Sequence, residues 1–198
     1  MKPTAHAPSQ CLAAYAGGAL PAGMSLLVAS HLTYCPSCRA RVERLEALGG
    51  ALIAEEPGVE PDPGCLARCL AQIDAPDAPP APVCACREIA LPQPLRQRLG
   101  PDVAAIPWQA VRPGLAVHRL PGFAGEDVRL VRADPGATLC DGPATPEAML
   151  VLGGRLRDGA QVHGPGDVAL SATGGVCESV GAAACTCLVV SRGSRPCV

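Results

Sequence analysis

Aromatic side chains are nearly missing from this sequence of 198 residues, where Trp108, Tyr15, Tyr34 and Phe123 are the whole complement. Any core must therefore be built from Leu, Val and Ala, within a hydrophobic content of 48%. An excess of positive charge is missing too: 16 Lys and Arg stand against 18 Asp and Glu, a net charge of −2, which excludes a strongly basic nucleic-acid-binding module. No stretch reaches the ~18 uninterrupted apolar residues of a membrane helix. The first residues, Met-Lys-Pro-Thr-Ala-His, run into Gln10, Gly17, Gly18 and Pro21 before any sustained apolar segment. A secretory core is thus absent, and the expected compartment is the cytoplasm, where thiols stay reduced. The length allows one domain or two small ones and excludes a large multidomain enzyme.

What the chain has in quantity is cysteine, 12 residues, and proline, 22 residues. Without an export signal, a disulfide-stapled scaffold is not the expectation. Reduced thiols bind metal, react, or fill space as small apolar groups.

Residues 9 to about 73 read as helical. Ser9 is the expected N-cap of a first short helix that Gly17 and Gly18 end. Pro21 precedes a second helix carrying Leu26, Leu27, Ser30 and His31. Pro36 suits the first turn of a third, which runs with charge on one side and Leu on the other until Pro57 and Gly58. A fourth amphipathic segment spans Cys65 to Ile73. From Asp74 to Pro82 the sequence Asp-Ala-Pro-Asp-Ala-Pro-Pro-Ala-Pro holds neither helix nor sheet ladder and marks a boundary. Beyond it the period changes. Leu115–Leu120, Asp127–Arg132, Ala148–Leu152 and Cys185–Val190 are short strand-like runs separated by Pro-Gly, Gly-Gly and Asp-Gly breaks, the pattern of a small β-sandwich or barrel. The fold class is therefore α plus all-β in two domains: a helical bundle over residues 1–73, a linker over 74–90 and a β-domain over 91–198.

The sharpest local signal is His31-Leu-Thr-Tyr-Cys35-Pro-Ser-Cys38. In a near-helical segment these positions share one face, so an imidazole and two thiolates can converge on one ion. Sulfur with imidazole nitrogen favours zinc over iron. A closed zinc site wants four ligands, and His6 is the best fourth, with Cys11 as runner-up. The competing reading makes His31 a surface histidine and the two cysteines apolar filler. A redox Cys-x-x-Cys is disfavoured, because no βαβ pattern surrounds it.

The run from Leu12 to Leu20 and on through Ser25 to Arg41, with Glu46 to Leu52 after it, resembles the zinc-binding anti-sigma domain of ChrR-type anti-sigma factors. That resemblance covers about the first 55 residues. It implies that His6, His31, Cys35 and Cys38 hold one zinc, a staple worth on the order of 10 kcal/mol to so small a bundle. It further implies a partner, an extracytoplasmic-function-type sigma factor, rather than nucleic acid or membrane. Such a bundle needs more apolar surface than it can bury. Leu26, Leu27, Val28, Leu45, Leu48, Leu52, Leu66, Leu70 and Ile73 supply it, with most of the nine expected in the core.

The second half resembles the cupin-like domain that follows in those proteins: Glu147 and Gly154 fit the first cupin motif, and Gly164-Pro-Gly-Asp167 the turn of the second. The histidine positions of a metal-binding cupin fall here on Asp141, Pro143 and Cys177, so a site of three histidines and a glutamate cannot form. One expectation is a metal-free scaffold. The other is a mixed site of Cys140 or Asp141, Glu147 and Cys177, with His118 and His163 given little weight. Cys185 and Cys187, alternate residues of one strand, face the same side and can meet a common oxidant or ion, whereas Cys84, Cys86 and Cys197 carry no assigned role.

The reading is a non-enzymatic regulator that sequesters its sigma factor and releases it on an oxidative signal, such as singlet oxygen or organic peroxide, received by the cupin-like domain. The rivals are a cupin dioxygenase or isomerase with a helical appendage, and a thiol-based metal or redox buffer.

Overall fold

The computed structural model describes residues 2–73, 91–100, 103–140, 147–171 and 176–192. The expected spacer over 74–90 lies outside them, as do Cys84, Cys86, Asp141, Pro143 and Cys197. Helices α1 (Ser9–Ala16), α2 (Ala22–Tyr34), α3 (Pro36–Ala54) and α4 (Cys65–Ile73) are followed by α5 (Gln93–Leu99). Ten strands follow: β1 (Gln109–Arg112), β2 (Leu115–Leu120), β3 (Glu126–Ala133), β4 (Thr138–Cys140), β5 (Glu147–Gly153), β6 (Leu156–Asp158), β7 (Gln161–His163), β8 (Val168–Ser171), β9 (Cys177–Ser179) and β10 (Cys185–Arg192). They form one sheet in the order β1-β2-β3-β10-β5-β8 and another in the order β4-β9-β6-β7.

The N-cap of α1 is Pro8, with no side-chain cap, and Ser9 is its first helical residue. Proline's fixed φ suits that position, so the expected serine cap is corrected by one residue. Helix α5 lies at the start of the segment expected to be all-β, and no helix is expected there from the sequence, in which Pro92 and Pro94 stand close together. Pro94 instead occupies the first helical turn, in which no backbone donor is needed, and Leu95 is fully buried.

The larger sheet is covered on both faces, so β5 and β10 are buried at nearly every position. This explains their continuous apolar runs, Ala-Met-Leu-Val-Leu and Cys-Thr-Cys-Leu-Val-Val, where a half-exposed strand would alternate. One face looks into the space between the sheets, lined by Val131, Met149, Val151, Leu156, Cys177, Cys185, Cys187 and Val189. The other packs Leu130, Leu150, Leu188 and Val190 against Leu26 and Leu27 of α2 and Leu95 of α5. The helical and β-rich segments thus share a core. A third cluster of Ala7, Leu12, Val28, Cys35, Cys38 and Val42 joins α1, α2 and α3.

Helix α2 sits close to the sheet because Gly23 lets it. A Cβ there would lie 2.5 Å from Val128 Cγ2, and the bare backbone instead donates to Glu126, from Gly23 N at 2.7 Å and Met24 N at 3.2 Å. A strand carboxylate caps the first turn of α2 and lies at the positive end of its dipole. Gly23→Ala is expected to lower unfolding free energy by about 1–3 kcal/mol through overpacking and loss of that cap, read from the midpoint of urea unfolding.

Candidate metal centre

Cys35 interrupts the path from α2 to α3. Its extended backbone (φ −110°, ψ 99°) ends one helix and N-caps the next, and Pro36 takes the first position of α3. His31 therefore lies in the last turn of α2 and Cys38 in the first turn of α3. Their convergence is made by a helix junction rather than by one face of a continuous helix.

The N-terminal arm brings His6 to this junction. Its Nδ1 is 3.2 Å from Cys35 Sγ and 3.6 Å from Cys38 Sγ, and its ring meets that of His31 edge to face at 6.2 Å between centroids. One ligand atom from each of His6, His31, Cys35 and Cys38 lies within 4.8 Å of all the others, and among the described residues this is the single such cluster. A tetrahedral zinc with Zn–S near 2.3 Å and Zn–N near 2.1 Å has ligand–ligand edges of about 3.3–3.8 Å. The cluster is close to those dimensions. Cys11 packs at the edge of the helical core and is not part of it.

The protonation pattern fits a metal. His31 is fully buried, and its Nδ1 lies 2.7 Å from the carbonyl oxygen of Gly166. A carbonyl only accepts, so Nδ1 carries the proton and Nε2 keeps its lone pair. Nε2 is buried without a hydrogen-bond partner, an arrangement that a ligated ion satisfies. Burial lowers the pKa of His31 and outweighs the raising effect of the Gly166 hydrogen bond, keeping the ring neutral as ligation requires. The two thiols divide. Burial would raise Cys35, but hydrogen bonds from the Ser37 hydroxyl, the Cys38 amide and His6 bring it down to about 7. Burial and the neighbouring Cys35 push Cys38 up to about 11. His6 is the one exposed member of the four.

The residues named for a mixed site in the β-domain are placed differently. Glu147 binds the guanidinium of Arg129 at 2.5 Å, and the same guanidinium binds Asp127 at 2.5 Å and Ser191 Oγ at 3.2 Å. Arg119 reaches Asp127 from β2 at 2.6 Å. Cys177 is fully buried among apolar side chains, and Cys140 pairs with it in register across β4 and β9. Asp141 and the side chain of Cys140 lie outside the described residues. His118 lies beside the Pro107 carbonyl at 3.4 Å, whereas His163 is buried with Nε2 unpartnered. Sequence reasoning missed Arg129. Its signal was a charge set between apolar residues of a strand, Val128 before it and Leu130 and Val131 after it. Cys185 and Cys187 are fully buried with their sulfurs 3.6 Å apart.

Among the nine apolar helical residues, Leu26, Leu27 and Val28 are buried and Leu45 is partly so, while Leu48, Leu52, Leu66, Leu70 and Ile73 are between 51% and 77% exposed. The expectation that most lie in the core is corrected. Helix α4 buries no residue at all. No helix among the described residues is long and apolar enough to cross a membrane.

No family model matches the chain. Among curated proteins, anti-sigma-E factor ChrR of Cereibacter sphaeroides is 35% identical over 167 residues, 84% of this chain and 78% of the relative. Among solved structures, that of Rhodobacter sphaeroides SigE in complex with the anti-sigma ChrR matches with 30% identity and a TM-score of 0.78, covering 94% of this chain and 98% of that one. An RmlC-like cupin protein from Ralstonia eutropha aligns with 46% of this chain and 66% of its own at 18% identity and a TM-score of 0.39.

In the metal-free chain, thiolate absorbance in the ultraviolet is expected to rise with a first midpoint near pH 7, from Cys35. Ser37→Ala should move that midpoint upward, since it removes a hydrogen bond to the thiolate, and Cys35→Ser should abolish the step.

Proposed function

The chain belongs to the ChrR family of anti-sigma factors, a regulator and not an enzyme, and from that premise we propose that it sequesters a sigma factor of the extracytoplasmic-function class in the cytoplasm. The observation that carries this reading is the unburied apolar surface of α3 and α4. Leu48, Leu52 and Ile53 near the end of α3, and Leu66, Leu70 and Ile73 along α4, are all exposed. An amphipathic helix with nothing of the described residues packed beneath its apolar face is a surface awaiting a partner. A helical groove or bundle in that partner would cover it. The solved complex, in which the related ChrR binds SigE, supports a partner of this kind.

Zinc is the metal we assign to His6, His31, Cys35 and Cys38. Two sulfurs and two imidazole nitrogens form a closed structural set, with no position left open for substrate. The ion would supply a cross-link between the arm, α2 and α3, and would fix where α3 departs toward the partner.

The β-domain we read as a cupin-like barrel whose former metal position is closed by Arg129. Its guanidinium bridges Glu147 and Asp127, so the carboxylate that a cupin offers to a cation is already neutralised by one. An oxidative signal remains the proposed input to this domain, where Cys185 and Cys187 face the interior as an adjacent pair of oxidisable groups. The thiol-buffer rival is disfavoured, since of the eight cysteines whose side chains are described one is exposed and five are buried.

Co-expression with candidate extracytoplasmic-function sigma factors tests the partner. A stable one-to-one complex is expected. Leu66→Glu and Leu70→Glu should each weaken it by about 30-fold or more, as for a buried interface anchor, with thermal unfolding of the free protein unchanged. Failure of every such sigma factor to bind overturns the reading.

Metal analysis of the intact chain should give one zinc, and none after Cys35→Ser with Cys38→Ser. Zinc affinity should rise with pH. Above about pH 7 binding displaces one proton, from Cys38, and below it two, so the apparent dissociation constant should fall about tenfold per unit above pH 7 and about a hundredfold per unit just below. A pH-independent affinity would be incompatible with thiolate ligation.

A further inference from the structure

The two thiols of the metal centre are positioned locally, by the junction of α2 and α3. The two imidazoles are not. Each depends on one tight turn in the other half of the chain, Gly164-Pro165-Gly166-Asp167 between β7 and β8. Gly166 accepts the Nδ1–H of His31 at 2.7 Å, across 135 positions of sequence. Asp167 holds the arm that carries His6: its Oδ1 accepts the amides of Thr4 at 2.6 Å and Ala5 at 2.9 Å. The Ala5 carbonyl in turn accepts from Val168 N at 3.1 Å. The other carboxylate oxygen of Asp167 accepts from Gly164 N at 2.8 Å, closing the turn on itself.

Packing makes this contact specific. Gly166 has φ +90°, and a Cβ on it would lie 2.7 Å from Tyr34 Cβ and 2.9 Å from Pro3 Cγ. The turn is wedged between the end of α2 and the start of the arm, and only glycine fits there. Asp167 is 4% exposed and carries no salt bridge among the described residues. Against the opposing effect of burial, its carboxyl is held below the usual range by backbone amides of the arm and of its own turn, together with the Thr4 hydroxyl.

The geometry points to the barrel's Gly164–Asp167 turn as the outer shell of the metal centre, with Asp167 as a positioning residue that sets zinc affinity through His6 and His31. This rests on the assignment of zinc to the four ligands above. Groups that orient ligating histidines typically govern metal affinity by about 10–100-fold. The coupling is reciprocal: a displaced turn loosens the ion, and a lost ion loosens the arm and α2 from the turn. A change arising in the barrel thereby has a route to α3, whose first turn carries Cys38, without crossing the spacer between the two halves.

The test is competition between the full-length chain and a fluorescent chelator for zinc alone. Asp167→Asn should raise the zinc dissociation constant by about 10–100-fold and speed solvent exchange of the His31 Nδ1 proton in the NMR spectrum. Thr4→Pro, which deletes one arm amide and the Thr4 hydroxyl that also donates to Asp167 while leaving every barrel residue in place, should weaken zinc in the same direction and keeps the idea testable if Asp167→Asn fails to fold. Val189→Ala, a cavity in the barrel interior two strands from β8 in the larger sheet, should lower unfolding stability and leave zinc affinity at the wild-type value. If wild type binds zinc and both Asp167→Asn and Thr4→Pro bind it equally well, the outer-shell role is wrong and the zinc assignment stands. Equal weakening by Val189→Ala would reduce the effect to general stability and overturn the positioning role. If the wild-type chain takes up no zinc, the assignment beneath the inference fails and takes it along.

Discussion

Glu126 caps the first turn of α2 and Gly166 accepts a hydrogen bond from its last, so a helix of 13 residues is clamped to the β-rich half at both ends. Between the clamps, Leu26 and Leu27 enter the core formed by Leu130, Leu150 and Leu188. Most of the remaining architecture refers to this helix. Its buried flank covers the outer face of the larger sheet, and its last turn offers His31. Its end at Cys35 sets the direction of α3. Because α2 is rigidly seated, α3 and α4 can leave apolar side chains outside without collapsing onto the barrel.

The division between what is buried and what is not explains how the protein can be both stable and adhesive. The interior of the barrel and the α2 face are close-packed by aliphatic side chains, as an aromatic-poor sequence requires. Helix α4 contributes nothing to either core, so its apolar positions are free to serve another chain. The charges of β2, β3 and β5 are treated with similar economy. Two arginines, an aspartate and a glutamate meet at one end of the strands, each in contact with an opposite charge, which is the condition under which ions survive burial.

Much of this was legible in the sequence wherever the signal is local. The bounds of β2 and α4 follow from periodicity and breakers, and three of the four metal-cluster residues follow from the spacing of His31, Cys35 and Cys38. Less visible was anything decided by a distant partner. An amphipathic pattern says that Leu52 and Leu66 share faces with other apolar residues, but not whether the covering surface belongs to the same chain. The continuous runs of β5 and β10 imply cover on both sides, though not that α2 provides it. Proline hid α5, because the same residue that breaks a helix interior also opens a helix. The pairing of Glu147 with Arg129 joins residues on separate strands and has no local signature. Nor does the reach of Asp167 to Thr4, which spans 163 positions.

That last span bears on the order in which the molecule is made. His6, His31, Cys35 and Cys38 are all translated before residue 39, yet the turn that orients both histidines follows roughly 130 residues later, a delay of about 6–26 s at ribosomal speeds of ~5–20 residues per second. During that interval the nascent helices have their thiols but not the scaffold that aims their imidazoles. The four-residue cluster thus takes its final arrangement only after the turn at residues 164–167 has been synthesised and has folded against the arm and α2.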